Sequence, residues 1–214
     1  MKRIAVLASG RGSNFQAVID AIADGRIPAV CCGLVTDNPS AYAVTRAEKA
    51  GIPVFIVDFT TFPSKDAYEQ ALLRVLNDLS ADLYILAGYM RIVGPNIVHR
   101  LKGKMINIHP ALLPSFPGLH AQRQALAYGV KVSGCTVHFV DEGMDSGPII
   151  VQASVPVMEG DDEESLAGRI LAEEHRCLPA AIRLFCEGRL EIRDRRVSIL
   201  PEPGDRSRIG RKIP

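Results

Sequence analysis

Residues 4–23, IAVLASGRGSNFQAVIDAIA, decide the fold. IAVLA at 4–8 is a short apolar run of strand length. It breaks at Gly10 and Gly12, and from about residue 14 to 23 Phe15, Val18, Ile19 and Ile22 recur at the spacing of one helix face. Strand, glycine turn and amphipathic helix make the first half of a βαβ unit, and the chain repeats the pattern. AVCCGLV at 29–35 reads as a second strand, 41–50 as a helix closed by Gly51, and VFIV at 54–57 as a third strand. A helix over 64–80, a strand LYILAG at 83–88, a short helix after Pro95 and a strand MINIH at 105–109 follow. Alternation of this kind predicts a parallel sheet with right-handed crossovers.

Beyond His109 the texture changes. PALLPSFPG at 110–118 carries three prolines and predicts a rigid connecting loop. After a short helix at 121–128, strands at 133–140 and 148–157 are joined by DEGMDSG, a spacing that predicts an antiparallel pair. A long helix over 162–185 and an edge hairpin near 189–199 complete the order. The fold class expected is therefore α/β: a doubly wound, mostly parallel central sheet with an antiparallel C-terminal portion and helices on both faces. No linker divides the chain, so 1–200 is expected to form one domain and 201–214, PEPGDRSRIGRKIP, a loose tail.

The first turn is also the first candidate site. Backbone N–H groups at the start of a helix, together with its dipole, attract anions, and Gly10 and Gly12 allow the backbone to approach a phosphate. Ser13 with Gln16 predicts a capping box. The stretch lacks the third glycine of a dinucleotide fingerprint, since Phe15 stands three residues after Gly12, and Asp37 is the nearest acidic residue to the end of the second strand. It also lacks the lysine of a phosphate-binding GK[ST] loop. A phosphate monoester on a small substrate is the ligand left.

In INIHP at 106–110, strand alternation puts Asn107 and His109 on one face and Ile106 and Ile108 on the other. An amide that can donate to a developing oxyanion thus stands beside an imidazole that can exchange protons near neutral pH. In DEGMDSGP at 141–148, a turn between Gly143 and Gly147 is expected to expose the Asp145 carboxylate, which near His109 would hold the imidazole charged. His138 is expected to be packed or hydrogen-bonded, and the Glu173, Glu174, His175 cluster to face solvent.

Composition excludes other classes. Of 214 residues, 47% are hydrophobic and 23% charged, which excludes a disordered chain, collagen or a coiled coil. The net charge of +1 provides no general field for a nucleic acid. No apolar stretch reaches the roughly eighteen residues of a membrane span, and the N-terminal apolar run is too short for a signal peptide, so a cytoplasmic protein is expected. Cys31, Cys32, Cys135, Cys177 and Cys186 lie in apolar segments without CxxC spacing and read as buried thiols. The five histidines show no tight ligand spacing, so no metal is expected.

These motifs resemble one family closely, the phosphoribosylglycinamide formyltransferases of purine biosynthesis. The resemblance runs from LASGRGSNFQAVIDA through LAGYMRIVGP, MINIHPALLPSFPGLHAQRQAL and GCTVHFVDEGMDSGPIIVQ to EEHRCLPAAIRLFCEGRL. It implies formyl transfer from 10-formyltetrahydrofolate to the amine of glycinamide ribonucleotide, by a monomer or a homodimer. It implies that Asn107, His109 and Asp145 are catalytic, that Gly12, Ser13 and Asn14 hold the substrate phosphate, and that Glu174 contacts the ribose. It implies a folate pocket formed by Lys65, Met90, Arg91, Ile92, Val93, Asn107, Asp141, Glu142, Gly143, Met144 and Asp145. Many relatives carry an arginine where this chain has Lys65, which keeps the charge but not the bidentate fork. Other readings are a formyltetrahydrofolate hydrolase, a methionyl-tRNA formyltransferase or a non-catalytic phosphate-ligand sensor. The first two are expected to need further domains for which 214 residues leave no room.

Overall fold

A computed structural model describes residues 1–202, so the loose tail expected over 201–214 lies, from residue 203 on, outside the described residues. Five parallel strands form the first half: β1 (Lys2–Leu7), β2 (Ala29–Thr36), β3 (Val54–Ile56), β4 (Leu83–Leu86) and β5 (Met105–His109). They are linked by α1 (Ser13–Ala23), α2 (Tyr42–Lys49), α3 (Lys65–Leu79) and α4 (Pro95–Arg100). Then come α5 (Ala121–Tyr128), the antiparallel strands β6 (Val132–Phe139) and β7 (Ile149–Pro156), α6 (Glu163–Cys186) and a hairpin of β8 (Leu190–Arg193) and β9 (Arg196–Ile199). The expected elements are all present with ends shifted by a residue or two; a single 3₁₀ turn at Phe59–Thr61 has no counterpart in the sequence pattern.

The strands lie in the order β3-β2-β1-β4-β5-β6-β7-β9-β8, a mixed sheet whose first five strands are parallel. Helices cover both faces. Phe15, Val18 and Ala21 of α1 share one core with Leu166, Ile170 and Ile182 of α6, while Tyr68, Leu72 and Leu76 of α3 and Ile97 of α4 form the core on the other side. Burying a Leu, Val or Phe side chain contributes about 1.5–3 kcal/mol, so these apolar stripes fix which side of the sheet each helix takes.

Winding reverses between β1 and β4, and ligand sites of open α/β sheets form at such a switch. There the loop after β1 meets the loop after β4: Ser9 N–H donates to the Gly88 carbonyl at 3.0 Å, and Met90 N–H to Ser9 Oγ at 2.9 Å. Of the five cysteines, all free, only Cys135 is fully buried; the other four are half-buried. Burial pushes the Cys31 thiol up to about 12, as befits an unreactive sulfur.

Candidate active site

The α1 turn departs from the expected capping box. Gly12 is the N-cap, at φ 65, and offers no side chain. Gln16 is occupied elsewhere, donating to Asp20 Oδ1 at 2.8 Å and accepting from Arg46 Nη1 of α2 at 2.9 Å. Gln16 N–H is the first in the helix to find an acceptor, the Gly12 carbonyl. Among the described residues the N–H groups of Ser13, Asn14 and Phe15, and the Ser13 hydroxyl, therefore remain free for an anion at the positive helix end.

Asn14 is buried, and its Nδ2 donates to Glu174 Oε2 of α6 at 2.8 Å, while its Oδ1 is buried without a partner. Glu174 thus turns inward rather than to solvent, because α6 lays this face on α1. Burial pushes its carboxyl above the usual range, with the Asn14 hydrogen bond opposing. The folded state then keeps a proton that the unfolded chain releases, so stability falls as pH rises from the ordinary carboxylate range through the raised value. Glu174→Gln removes this dependence and offers an amide to the lone Asn14 Oδ1. Melting curves from about pH 4 to pH 8 should show the variant equal to the parent at the acid end and more stable near neutrality. A neutral-pH loss in the variant would mean that the carboxylate is compensated by a donor beyond Asn14.

Asn107 and His109 share a face of β5 as expected, and the antiparallel pairing Asn107↔His138 brings a second imidazole across from β6. His138 Nδ1–H donates to the Phe139 carbonyl at 2.9 Å, which leaves Nε2 as an acceptor 3.3 Å from Asn107 Nδ2. Asn107 Nδ2 also donates to Asp145 Oδ1 at 3.3 Å. Both neighbours accept, so the amide group faces them and its Oδ1 faces away. Two bonds at 3.3 Å are weak, and one can be exchanged for a developing oxyanion at small cost.

Asp145 is not displayed to solvent as its glycine-flanked turn implied. At φ 51 it turns its carboxylate inward, to a side-chain exposure of 15%. Oδ2 accepts from Gly118 N–H at 2.8 Å and lies 3.3 Å from His109 Nδ1. Burial would raise this carboxyl, but the hydrogen bond from Gly118 N–H and the adjacent His109 and His138 rings together lower it, so it is ionised at neutral pH. His109 behaves in the opposite way to expectation. Its Nε2–H donates to the Phe116 carbonyl at 2.8 Å, and burial lowers its pKa despite that carbonyl and Asp145. The imidazole rests neutral, yet both ring nitrogens face acceptors, so it is placed to take a proton transiently.

The proline loop supplies Phe116 and Gly118 and is held from the sheet. Thr136 Oγ1 donates to the Ala111 carbonyl at 2.7 Å and accepts from Leu113 N–H at 3.1 Å; Gln152 Nε2 donates to the Leu113 carbonyl at 2.9 Å. Sequence reading missed His138, Thr136 and Gln152 as members of the site. For Thr136 and His138 the signal was a polar residue on a buried, mostly apolar strand, whereas Gln152 is exposed on β7 and carried none.

Around the switch point, Arg91 Nε donates to Asp37 Oδ2 at 2.8 Å, and its guanidinium carbon lies 4.2 Å from the Phe59 ring centroid. Asp37 is buried, so the arginine is fixed from below and in front while its remaining donors face outward. Met90, Ile92 and Met144 are exposed apolar side chains on the two loops, and Val93 packs into the α3 core. Asp141 Oδ1 accepts from Ser146 Oγ at 2.6 Å and Gly143 N–H at 3.2 Å, shaping the loop from within, and Glu142 pairs with His99 at 3.1 Å. Lys65, at the start of α3, is exposed and 3.5 Å from Glu69 Oε1.

Among the described residues no helix is long and apolar enough to cross a membrane. Residues 2–182 match the family described as formyl transferase. Phosphoribosylglycinamide formyltransferase of Escherichia coli is 40% identical over 191 residues, which are 89% of this chain and 90% of that protein. The trifunctional purine biosynthetic protein adenosine-3 of Drosophila pseudoobscura pseudoobscura is 48% identical over 92% of this chain, which spans only 14% of that protein's length. Among solved structures, glycinamide ribonucleotide transformylase 1 of Symbiobacterium toebii matches with a TM-score of 0.92 at 53% identity, covering 94% of this chain and 95% of that one. With its doubly wound sheet, its free helix terminus and these likenesses along most of its length, the chain belongs to the formyl transferase family, among the phosphoribosylglycinamide formyltransferases.

Proposed function

We propose that the protein transfers the formyl group of 10-formyltetrahydrofolate to the primary amine of glycinamide ribonucleotide, a step of purine synthesis. The observation that carries the reading is the meeting of Asn107, His109 and Asp145, with Asp145 oxygens 3.3 Å from both partners. The anion end of the ribonucleotide belongs at the free N–H groups of Ser13 and Asn14 and at the Ser13 hydroxyl; Gly12 provides the turn. Glu174 and the unpartnered Asn14 Oδ1 are acceptors for sugar hydroxyls. The folate fits the other loops: Met90, Ile92 and Met144 offer apolar surface to a flat ring, Val93 backs it, and the 141–145 backbone and Asn107 provide polar contacts.

Formyl folate, when bound, supplies an activated formyl group on a nitrogen leaving group. The chain's residues handle charge and protons. As the amine nitrogen bonds to the formyl carbon and the carbonyl electron pair moves onto oxygen, the growing negative charge is stabilised by Asn107 and by His109, which takes up a solvent proton for the step and returns it afterwards. Asp145, ionised beforehand, receives the proton lost by the attacking amine, and that proton reaches the nitrogen released when the old carbon–nitrogen bond breaks. Purified protein given both substrates should consume them in equal amounts. Binding of both without turnover would favour the sensor, and consumption of folate alone would favour the hydrolase.

Arg91 and Lys65 are assigned to the folate's carboxylates with unequal weight. Arg91→Ala should weaken binding of a folate analogue by about 1.5–3 kcal/mol, because a pre-set guanidinium in a partly enclosed site is lost. Lys65, 60% exposed, is a screened point charge, so Lys65→Ala should cost about 0–1 kcal/mol and less with added salt. Titration at low and high ionic strength checks both. A larger, salt-insensitive loss at Lys65 would exchange their roles.

A further inference from the structure

One residue beyond Asp145, the Ser146 carbonyl accepts a hydrogen bond from Arg195 Nη2 at 2.8 Å. Arg195 stands in the turn between β8 and β9, outside the stretch 2–182 that matches the family. β9 joins the sheet beside β7 through Ile149↔Arg196, and this junction sets the turn against the far end of the 141–147 loop.

The loop depends on such a hold. Asp145 at φ 51 is in a region that side chains occupy at a cost, and at Gly147 the backbone runs so close to β6 that a Cβ would meet the Phe139 carbonyl oxygen at 1.7 Å. In front, the Asp145 carboxylate is tied to Gly118 and Asn107. Beside the 141–143 end of the loop lies a cavity of 390 Å³, whose walls also include Val98, Lys102, Phe139, Ile192 and Arg195. Among the described residues two exposed side chains from other elements bridge to the loop on that side: Arg195, by a hydrogen bond to the backbone, and His99, through a pair with Glu142 that solvent screens. The Gly147 end is thus seated on β6, whereas the 141–143 end borders this open cavity and gains little from packing there.

We infer that Arg195, presented by the β8–β9 hairpin, is a positioning residue that holds the Asp145 carboxylate in register with His109 and Asn107. This rests on the reading of Asp145 as the carboxylate that moves the proton. Arg195 touches no reacting atom. It anchors the peptide next to the one that aims the carboxylate, and small misplacements of a catalytic group cost rate steeply.

Single-turnover rates and KM values for Arg195→Ala, Arg195→Lys, Asp145→Asn and the double variant Arg195→Ala with Asp145→Asn test it. Arg195→Ala should slow the chemical step roughly tenfold, with the melting temperature and the ribonucleotide KM unchanged. Arg195→Lys, which keeps a donor, should recover part of that loss. The double variant should be no slower than Asp145→Asn alone, because there is no charge left to aim. A parental single-turnover rate in Arg195→Ala overturns the inference, as does an Arg195→Ala effect of equal size in both backgrounds. If Asp145→Asn itself turns over normally, the catalytic reading and this inference fall together, and that outcome is distinct from a failure of Arg195 alone.

Discussion

Asp145→Asn leaves the protein folded and both ligands bound, and slows the chemical step by about 10² to 10⁴. The backbone tolerates the change, since asparagine and aspartate occupy the left-handed region at φ 51 more readily than other side chains. The amide oxygen still accepts from Gly118 N–H, which the carboxylate does now at 2.8 Å. What disappears is the charge 3.3 Å from His109 Nδ1. Without it the imidazole loses the attraction that offsets part of its burial, and no ionised group remains to receive the amine's proton. A single-turnover experiment with melting curves and binding titrations separates these effects. Near-parental turnover would remove Asp145 from the chemistry; a lost melting transition would make its role one of folding.

Gly12→Val should fail for a different reason, and in two measurements at once. The turn requires φ 65, where a β-branched residue is strained. A Cβ there would also lie 2.8 Å from Ala43 Cβ of α2. The side of Gly12 that must stay bare thus faces α2, not the free N–H groups. Strain and overpacking together should cost about 2–5 kcal/mol, lowering the melting temperature by about 2–4 °C per kcal/mol in a chain of this size. The ribonucleotide KM should rise as well, because the shifted turn misaims the N–H groups. Ser13→Ala is the control: its hydroxyl serves no contact in the fold, so only the ribonucleotide KM should change. Should Gly12→Val melt normally and lose only substrate, the approach of phosphate, and not helix packing, demands the glycine.

Several features of the site are legible in the order of the amino acids alone. Phe15, Val18, Ile19 and Ile22 at helical spacing after a strand and a glycine turn predict α1 with a free anion-binding end. Strand alternation puts Asn107 beside His109, and three prolines between 110 and 118 mark the rigid loop. Each of these depends on residues close in sequence, where the 3.6 and 2.0 residue periods and proline's fixed geometry apply directly.

Contacts between distant segments follow no such rule. Ser13 and Gln16 have the spacing of a capping box, but Arg46 arrives from α2 and takes the Gln16 oxygen. Glu174 sits in a charged run that reads as a solvated face, until packing of α6 on α1 buries it against Asn14. His138 enters the site because the antiparallel register sets it opposite Asn107, and Arg195 meets Ser146 through a hairpin at the sheet edge. Ionisation states follow the same division. The pairing of His109 with Asp145 can be anticipated from residue types, but its sign cannot, since burial outweighs the attraction of the carboxylate. Periodicity is a local property of the chain that assigns elements and faces, whereas burial and partner choice arise only when segments far apart in sequence are brought into contact.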